Sequence, residues 1–452
     1  MVHLDDTIAA ISTPLGTGGI GVVRLSGPRA VSIAAALFQP ARDVTLDEVD
    51  SHTLHYGRLA FEGRTLDEVL VAVMRRPHSF TREDVVELQT HGSPVALRLV
   101  LEAVVAGGAR HAEPGEFTRR AFTNGRLSLD QAQAVLDVIQ AKTHLGARSA
   151  LERLEGKFSR PITQLREGLT GLLAAIGVGM DYPEYEQDAL PRSTLSTQLE
   201  RALGTIRGLL RHSHDGRLAR RGFRLAIVGR PNVGKSTLLN ALLATNRALV
   251  SPVAGTTRDT LEEVLSLEGV PFCLVDTAGL RAGGDALERL GMERTRAALR
   301  EADLALVVLD ASAQEDDEDA ALLAELADRQ HLVLLNKVDR AKRAKPNPEA
   351  LAISARTGQG LDALKQRLVD WAWGGRSPQD EGLLFLDVRE KDLLLRARSA
   401  LERALCVQAQ GNTLDLVAAE VQQALEVLGE LSGHSASEAV IERIFAQFCV
   451  GK

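Results

Sequence analysis

The sequence predicts a multidomain α/β and α protein in which a parallel-sheet domain interrupts a helical one. Three observations predict it. The hydrophobic period changes from strand-like to helical near residue 120. A glycine-rich phosphate-loop pattern lies between an apolar run and a helical run near residue 230. The helical texture then returns beyond residue 376. A length of 452 residues suits two to four domains, each with its own core.

Composition narrows the class. Hydrophobic residues at 45% and charged residues at 25% exclude a mainly disordered chain and a collagen. The 53 Lys and Arg against 60 Asp and Glu leave a net charge of −7, which argues against a broadly basic nucleic-acid surface but not against a local basic patch. Aromatic residues at 4% leave little for base stacking. No apolar run reaches about 18 residues and no basic-then-apolar leader opens the chain, so neither a membrane span nor secretion is expected. Cys273, Cys406 and Cys449 are too few and scattered for a disulfide framework or zinc site, and fit a reducing cytoplasm.

Residues 1–120 read as a small α+β domain. Gly19 to Gly27, Thr53 to Phe61, Val69 to Met74 and Val85 to Gln89 are short Val, Leu and Ile runs separated by Gly, Pro or Asp. Val95 to Val105 has helical spacing and stops at Gly107-Gly108. From Leu127 to about Arg211 apolar residues recur three or four apart, as at Ala132, Val135, Leu136 and Ile139. Leu414, Val417, Val421, Leu425 and Leu428, then Ile441, Ile444, Phe445 and Phe448, repeat that pattern. One helical domain built from 121–215 and 376–452, with 216–375 inserted, accommodates both stretches. In the insert, strands are expected at Phe223–Val228, Phe272–Val275, Leu304–Leu309 and Leu332–Leu335, alternating with helices. The acidic run Glu315–Asp319 reads as a solvated helix start. The basic stretch Arg211 to Arg224 reads as an entry linker, with RNA contact the alternative.

Gly229-Arg-Pro-Asn232-Val233-Gly234-Lys235-Ser236 matches G-x-x-x-x-G-K-[ST] between a strand and a helix that opens at Thr237. Its glycines let backbone N–H groups and the helix N-terminus surround phosphates, Lys235 brings a charge to the β and γ phosphates, and Ser236 a hydroxyl to Mg²⁺. Asn336-Lys337-Val-Asp339 follows a buried strand, and a carboxylate at Asp339 can accept both donors of guanine's edge. Ser354-Ala355-Arg356 can bring loop N–H groups to the guanine oxygen. Asp276-Thr277-Ala278-Gly279 ends another strand, with Asp276 near Mg²⁺ and Gly279 near the γ-phosphate, and Thr256-Thr257 can complete the metal shell. Five such motifs in order predict a GTP-binding domain of Ras-like class. Leu280, however, stands where such enzymes carry a water-orienting glutamine. Asp285, Glu288 and Glu293 follow it, and their physics alone does not choose among them.

With these motifs the chain resembles the MnmE (TrmE) tRNA-modification GTPases. The resemblance runs through Asp6–Gly27 (DTIAAISTPLGTGGIGVVRLSG), Thr81–Val95 (TREDVVELQTHGSPV), Pro114–Val135 (PGEFTRRAFTNGRLSLDQAQAV), the GTTRD switch and the closing FCVGK. The Era and Der GTPases share the middle domain but not these ends. The resemblance implies addition of an aminomethyl or carboxymethylaminomethyl group to C5 of wobble uridine in certain tRNAs, together with an FAD-dependent partner, MnmG. It also implies a homodimer through the N-terminal domains, a hetero-tetramer or larger complex with MnmG, and a potassium ion in place of an arginine finger. Asn232 and the loop Ser251, Pro252, Val253, Ala254, Gly255, Thr256 match the potassium ligands, Thr257 the Mg²⁺ ligand, and Glu288 the catalytic glutamate. The N-terminal domain resembles folate-dependent one-carbon enzymes that bind 5-formyltetrahydrofolate, and Arg24, Glu87, Arg126 and Lys452 match that site. Cys449 reads either as a nucleophile beside the one-carbon donor or as a packing residue. Two stretches depart from the family: Gly177–Glu184, whose extra glycines suggest a looser helix, and residues 385–394 (FLDVREKDLL), less basic than usual. A ribosome-assembly GTPase like Era or Der and a folate-dependent transferase regulated by GTP are the rival readings.

Overall fold

Strand and turn texture in the first hundred residues becomes a seven-stranded sheet. The computed structural model describes residues 5–141, 144–181, 191–211, 213–215, 222–246, 263–268, 270–275, 299–313, 317–340, 350–373, 384–411, 413–433 and 435–452. They divide into two compact units. One holds residues up to 136, 153–203 and 396–452; the other holds 137–152 and 204–395.

In the first unit, β1 (Ile8–Ile11), β2 (Gly18–Ser26), α1 (Ala30–Leu37), β3 (Phe38–Pro40), β4 (Thr53–Phe61), β5 (Arg64–Met74), β6 (Val85–Gly92), α2 (Pro94–Ala106) and β7 (Arg110–His111) follow in order. The sheet order is β3-β4-β5-β6-β2-β1-β7, antiparallel except where β7 runs parallel to β1. Alternation decides its faces. Val69, Val71 and Val73 of β5 are buried with Leu97, Val100 and Val104 of α2, because a period of two on the strand meets a period of three to four on the helix. The sequence expected one helix here; α1 and the later α3 (Glu116–Thr123) are additional, because eight-residue helices span too few turns to show a period.

Helices α4 (Leu129–Gln140), α5 (His144–Leu154), α6 (Ser159–Asp181) and α7 (Arg192–Arg211) follow. The expected loosening at Gly177 does not occur. Helix α6 runs unbroken through Gly177 and Gly179 to Asp181, the glycines costing propensity without ending it. Residues 182–184 of that departure lie outside the described residues.

The helical texture beyond residue 376 forms α11 (Val388–Ala409), α12 (Leu414–Ser432) and α13 (Glu438–Phe445), described with their unit ahead of the intervening elements. Helix α12 packs on α6, burying Val417, Val421 and Leu428 from its predicted stripe, and Ile444, Phe445 and Phe448 bury against Leu129, Ala132 and Leu136. The two helical stretches therefore share a core, as their matching periods predicted.

In the second unit, β8 (Ser213–Asp215) pairs in parallel with β15 (Leu384–Leu386), the start of the second departure from the family. Then come β9 (Phe223–Val228), α8 (Lys235–Asn246), β10 (Glu263–Leu267), β11 (Val270–Val275), β12 (Leu304–Asp310), α9 (Asp317–Glu325), β13 (His331–Asn336), β14 (Leu351–Ala352) and α10 (Leu361–Ala372). Their sheet order is β10-β11-β9-β12-β13-β14, parallel but for the β10–β11 hairpin. This is a doubly wound Ras-like sheet, whose ligands bind beyond the carboxyl ends of its strands.

Candidate functional site

Strand β9 ends at Val228 and α8 begins at Lys235, so the motif residues between them form a loop closing on a helix N-terminus. Asn232 turns this loop with a left-handed φ of 64°. Gly234 has φ 100°, and a Cβ there would lie 2.3 Å from Asn336 Nδ2, so only glycine fits against the next motif. Lys235 Nζ donates to Gly229 O and Arg230 O, both at 2.7 Å, which folds its ammonium over the loop. Burial pushes its pKa below the ordinary lysine value. Ser236 and Thr237 are exposed in the first helical turn, where a hydroxyl suits Mg²⁺.

The base-reading motifs converge on the same loop. Buried Asn336, at the end of β13, donates through Nδ2 to Val233 O at 2.8 Å and accepts from Ala355 N at 2.9 Å. One side-chain amide thus joins phosphate loop to base loop. Lys337, also left-handed at φ 66°, sends Nζ to Asn232 O and to Asp310 Oδ2, each at 2.6 Å. Asp339 accepts from Ser354 Oγ at 2.7 Å and from Arg356 Nη2 at 2.7 Å. The Ser354 hydrogen bond first, opposed by burial and then reinforced by Arg356, holds its carboxyl below the usual range. Asp339 is ionised near neutrality, the state that the expected pairing with guanine's donors needs, and Arg356 beside it is exposed.

Sequence reasoning missed two members of this site. Asp310 at the end of β12 pairs with Lys337; burial opposes its charge, but Lys337 and Ser312 outweigh that and keep its pKa low. Asp319 of α9, in the acidic run read only as a helix start, lies 2.9 Å from Arg230 Nε in the phosphate loop. An unbroken G-x-x-x-x-G-K-S gives no sign of a partner 89 residues away; only the buried placement of Asp319 does. The expected residues Ser251, Pro252, Val253, Ala254, Gly255, Thr256, Thr257, Asp276, Thr277, Ala278, Gly279 and Glu288 lie outside the described residues, as do Asp285 and Glu293.

The first unit carries a second cluster. Arg24 of β2 and Glu87 of β6 are register partners, and both Arg24 Nε (2.9 Å) and Nη2 (2.8 Å) bind Glu87 Oε1. Glu87 Oε2 makes no hydrogen bond among the described residues, and the side chain is 21% exposed. Residues 449–452 run alongside: Val450 bridges to Pro114, and Gly451 O accepts from Ser12 Oγ at 3.1 Å and Arg24 Nη1 at 3.4 Å. Gly451 has φ 93°, and a Cβ there would meet Ile11 O at 2.3 Å. Burial first, then Arg24, lowers the Lys452 pKa, with Glu87 and Cys449 opposing in part. Cys449 is exposed, which removes the packing reading. Arg126 does not touch this pair; it lies over Phe80, whose ring packs in the small cluster containing Phe117, while Arg24 lies over Phe117.

Other signature residues are consumed by one another. Fully buried Arg120 binds Asp6, Glu83 and Glu116, and Arg110 binds Asp6 and Glu116. Despite burial, the arginines hold the Asp6 and Glu116 carboxyls below the usual range. Ser26 Oγ donates to Glu83 Oε2 at 2.6 Å and hydrogen-bonds Thr81 Oγ1 at the same distance. These groups organise the domain rather than face a ligand. Among the described residues no His, Cys, Asp and Glu cluster could hold a metal, and no helix is long and apolar enough to cross a membrane.

Comparison with known proteins adds the following. Residues 7–126 match the family model described as "GTP-binding protein TrmE N-terminus" and residues 129–449 the model described as "MnmE helical domain". Proteins named tRNA modification GTPase MnmE are similar along their whole length. That of Moorella thermoacetica is 45% identical over 464 residues, covering 99% of this chain and all of its own, and that of Geobacillus kaustophilus is 44% identical over 459 residues, covering 99% of each. That of Carboxydothermus hydrogenoformans is 43% identical over 461 residues, with 99% of this chain and 100% of its own covered.

Proposed function

The chain belongs to the MnmE (TrmE) family of tRNA modification GTPases, and we propose that it works as a potassium-stimulated member acting with a flavoprotein on the wobble uridine. It is a GTPase of tRNA modification. The observation that carries the nucleotide reading is the Asn336 amide, which holds the phosphate loop at Val233 and the base loop at Ala355 at once. Guanine seated on Asp339 thereby shares one rigid frame with phosphates at Lys235, the arrangement that pre-organised electrostatic catalysis needs.

Lys235 would leave the carbonyls of Gly229 and Arg230 for the β and γ phosphates, a short move for a side chain already over the loop. Ser236 would hold Mg²⁺ with Thr257, and the ion would neutralise phosphate charge. The exposed Asn232 side chain leaves an oxygen for potassium, the loop Ser251–Thr256 supplying the rest; its own carbonyl is taken by Lys337. Glu288 would orient the attacking water, since Leu280 cannot. The reaction yields GDP and phosphate.

The second cluster is proposed as a folate site, for 5-formyltetrahydrofolate or a close relative. Its donor set fits. Glu87 keeps an oxygen for an aminopyrimidine, the half-buried Phe80, backed by fully buried Phe117, offers an apolar surface, and Arg126 and Lys452 offer cations. The bound folate would supply a one-carbon unit, and Arg24 would keep Glu87 oriented. The domains are proposed as 1–120, 121–215 with 376–452, and 216–375, and the partners as tRNA, a second copy and the FAD-dependent MnmG, in the cytoplasm.

GTP turnover in KCl and NaCl at equal ionic strength tests the mechanism. Faster turnover in KCl is expected, and equal rates remove the potassium role. Glu288→Ala is expected to lower kcat by about 100-fold or more, the scale of a lost general base. Normal wobble uridines in tRNA from a deletion strain would instead favour ribosome assembly, and modification by the protein without a flavoprotein would favour a folate-dependent transferase.

A further inference from the structure

Two loops of the N-terminal domain are stitched together by side chains that reach only backbone oxygen. Arg82 Nη1 donates to Asn124 O at 2.9 Å, Asn124 Nδ2 donates back to Thr81 O at 2.7 Å, and Arg126 Nη1 donates to Phe80 O at 2.8 Å. The Arg126 guanidinium also lies 4.7 Å from the Phe80 ring centroid. The contrast with the surrounding arginines is chemical. Arg24, Arg110 and Arg120 each bind carboxylates, whereas among the described residues neither Arg82 nor Arg126 is paired with one.

Both side chains are exposed, and they are close enough to repel: burial and then Arg82 lower the Arg126 pKa. Arg82 moreover holds a left-handed φ of 60°, a conformation that costs a long side chain energy. Two like charges that no carboxylate among the described residues pairs, one of them on a strained turn, are stabilised when an anion arrives. Their place in the cluster indicates which anion. Contacts link them to the Glu87 pair: Arg24, bound to Glu87, lies over buried Phe117, Phe80 packs in the same small cluster as Phe117, and Arg126 lies over Phe80.

We propose that Arg82 and Arg126 form a two-cation clamp for a polyanionic tail, the γ-linked carboxylates of a polyglutamyl folate, and that Arg82 serves the glutamates beyond the first. This rests on the folate reading above. A monoglutamate presents two carboxylates on one residue and each further γ-linked residue adds one farther along the tail, so the longer ligand brings additional negative charge for Arg82 to meet.

Calorimetric titration of the intact protein with 5-formyltetrahydrofolate as monoglutamate and as triglutamate tests it. The triglutamate is expected to bind about three- to fivefold tighter, the scale of an exposed ion pair, and the preference to shrink between about 50 and 500 mM salt. Arg82→Asn tolerates the left-handed backbone but removes the charge, and should bring the affinity ratio close to one. Arg82→Lys keeps the charge and should keep most of the ratio. An unchanged ratio in Arg82→Asn overturns the clamp, as does its complete loss in Arg82→Lys, which would make Arg82 a loop brace. Equal binding of both folates by the unsubstituted protein overturns the clamp alone, whereas no binding of either overturns the folate reading. If Arg82→Asn keeps the folate ratio but weakens tRNA retention in a gel shift, the anion is RNA phosphate and the proposal falls.

Discussion

The nucleotide site and the N-terminal domain both carry long signature motifs, yet they use them in opposite ways. In the nucleotide site the motif residues fix a loop whose inner groups stay available: Lys235 rests on carbonyls it can leave, and Asp339 shares its oxygens with exposed Arg356. In the N-terminal domain most motif charges are satisfied by one another. Arg120 is wholly buried among Asp6, Glu83 and Glu116, which come from three separate signature blocks. A charge in a motif is thus evidence of function only when burial leaves it an open valence.

The largest effect that can break this comparison is at Arg120. Arg120→Ala leaves Glu83 without its arginine and Asp6 and Glu116 with Arg110 alone, and loss of one partner of such a buried set costs about 3–5 kcal/mol. Chemical denaturation should show it, with GTP affinity of the folded fraction changed little. A loss below about 1 kcal/mol would mean that the network is not structural. The pH dependence has a definite sign. Asp6 and Glu116 titrate lower in the folded protein than in the unfolded chain, so their stabilisation is complete above the ordinary carboxylate range and is lost as pH falls through their lowered values. The gap between native protein and Arg120→Ala should therefore narrow as the pH is taken from about 5 toward 2, and a gap that widens would contradict the assignment.

In the nucleotide site the largest effect falls on binding. Asp339→Asn replaces an acceptor by a group that meets guanine's amino donors with one of its own. GTP affinity should fall by about 100-fold or more, while xanthosine triphosphate, which has a carbonyl in place of that amine, should bind better than it does to the unsubstituted protein. Retained GTP preference would remove Asp339 from base reading.

How much of this was legible in the sequence follows from the same contrast. Strands β9, β12 and β13 fall within two residues of expectation, because buried parallel strands are uninterrupted apolar runs. The joined helical core was legible because both stretches, α6 and α12, show a helical period over nineteen residues or more. Phosphate-loop chemistry is carried by contiguous residues, so spacing alone locates Lys235 and Ser236. The Asp310–Lys337 and Arg230–Asp319 pairs join residues 27 and 89 apart, and no local pattern encodes them. The role of Glu116 and Arg120 in PGEFTRRAF was equally hidden: one exposed turn would make them ligands, and only their burial shows that they are not.

A middle-sized effect probes the 449–452 segment. Gly451→Ala places a methyl against Ile11 O and strains a φ of 93°, at a cost of about 1–2 kcal/mol. Because Gly451 O holds Ser12 and Arg24, the damage should reach folate affinity before overall stability, as a rise in Kd with little change in denaturation midpoint. The reverse order would make this segment a structural clasp and weaken the link between Lys452 and the ligand.

The smallest effect separates positioning from contact within the nucleotide site. Among the described residues the Asp310 side chain reaches the site through Lys337, which it holds against the left-handed Asn232. Asp310→Asn keeps the size and one acceptor but removes the charge, and an ion pair of this partial exposure is worth about 1 kcal/mol or less. GTP affinity should drop by about two- to fivefold. A residue acting only on fold stability would leave the potassium response alone. Asp310, acting through Asn232, should raise the KCl concentration needed for half-maximal turnover, and Asp310→Glu should restore part of that shift. Half-saturation by KCl that matches the unsubstituted protein would confine Asp310 to the sheet edge, and the nucleotide site would then extend no further than its motifs.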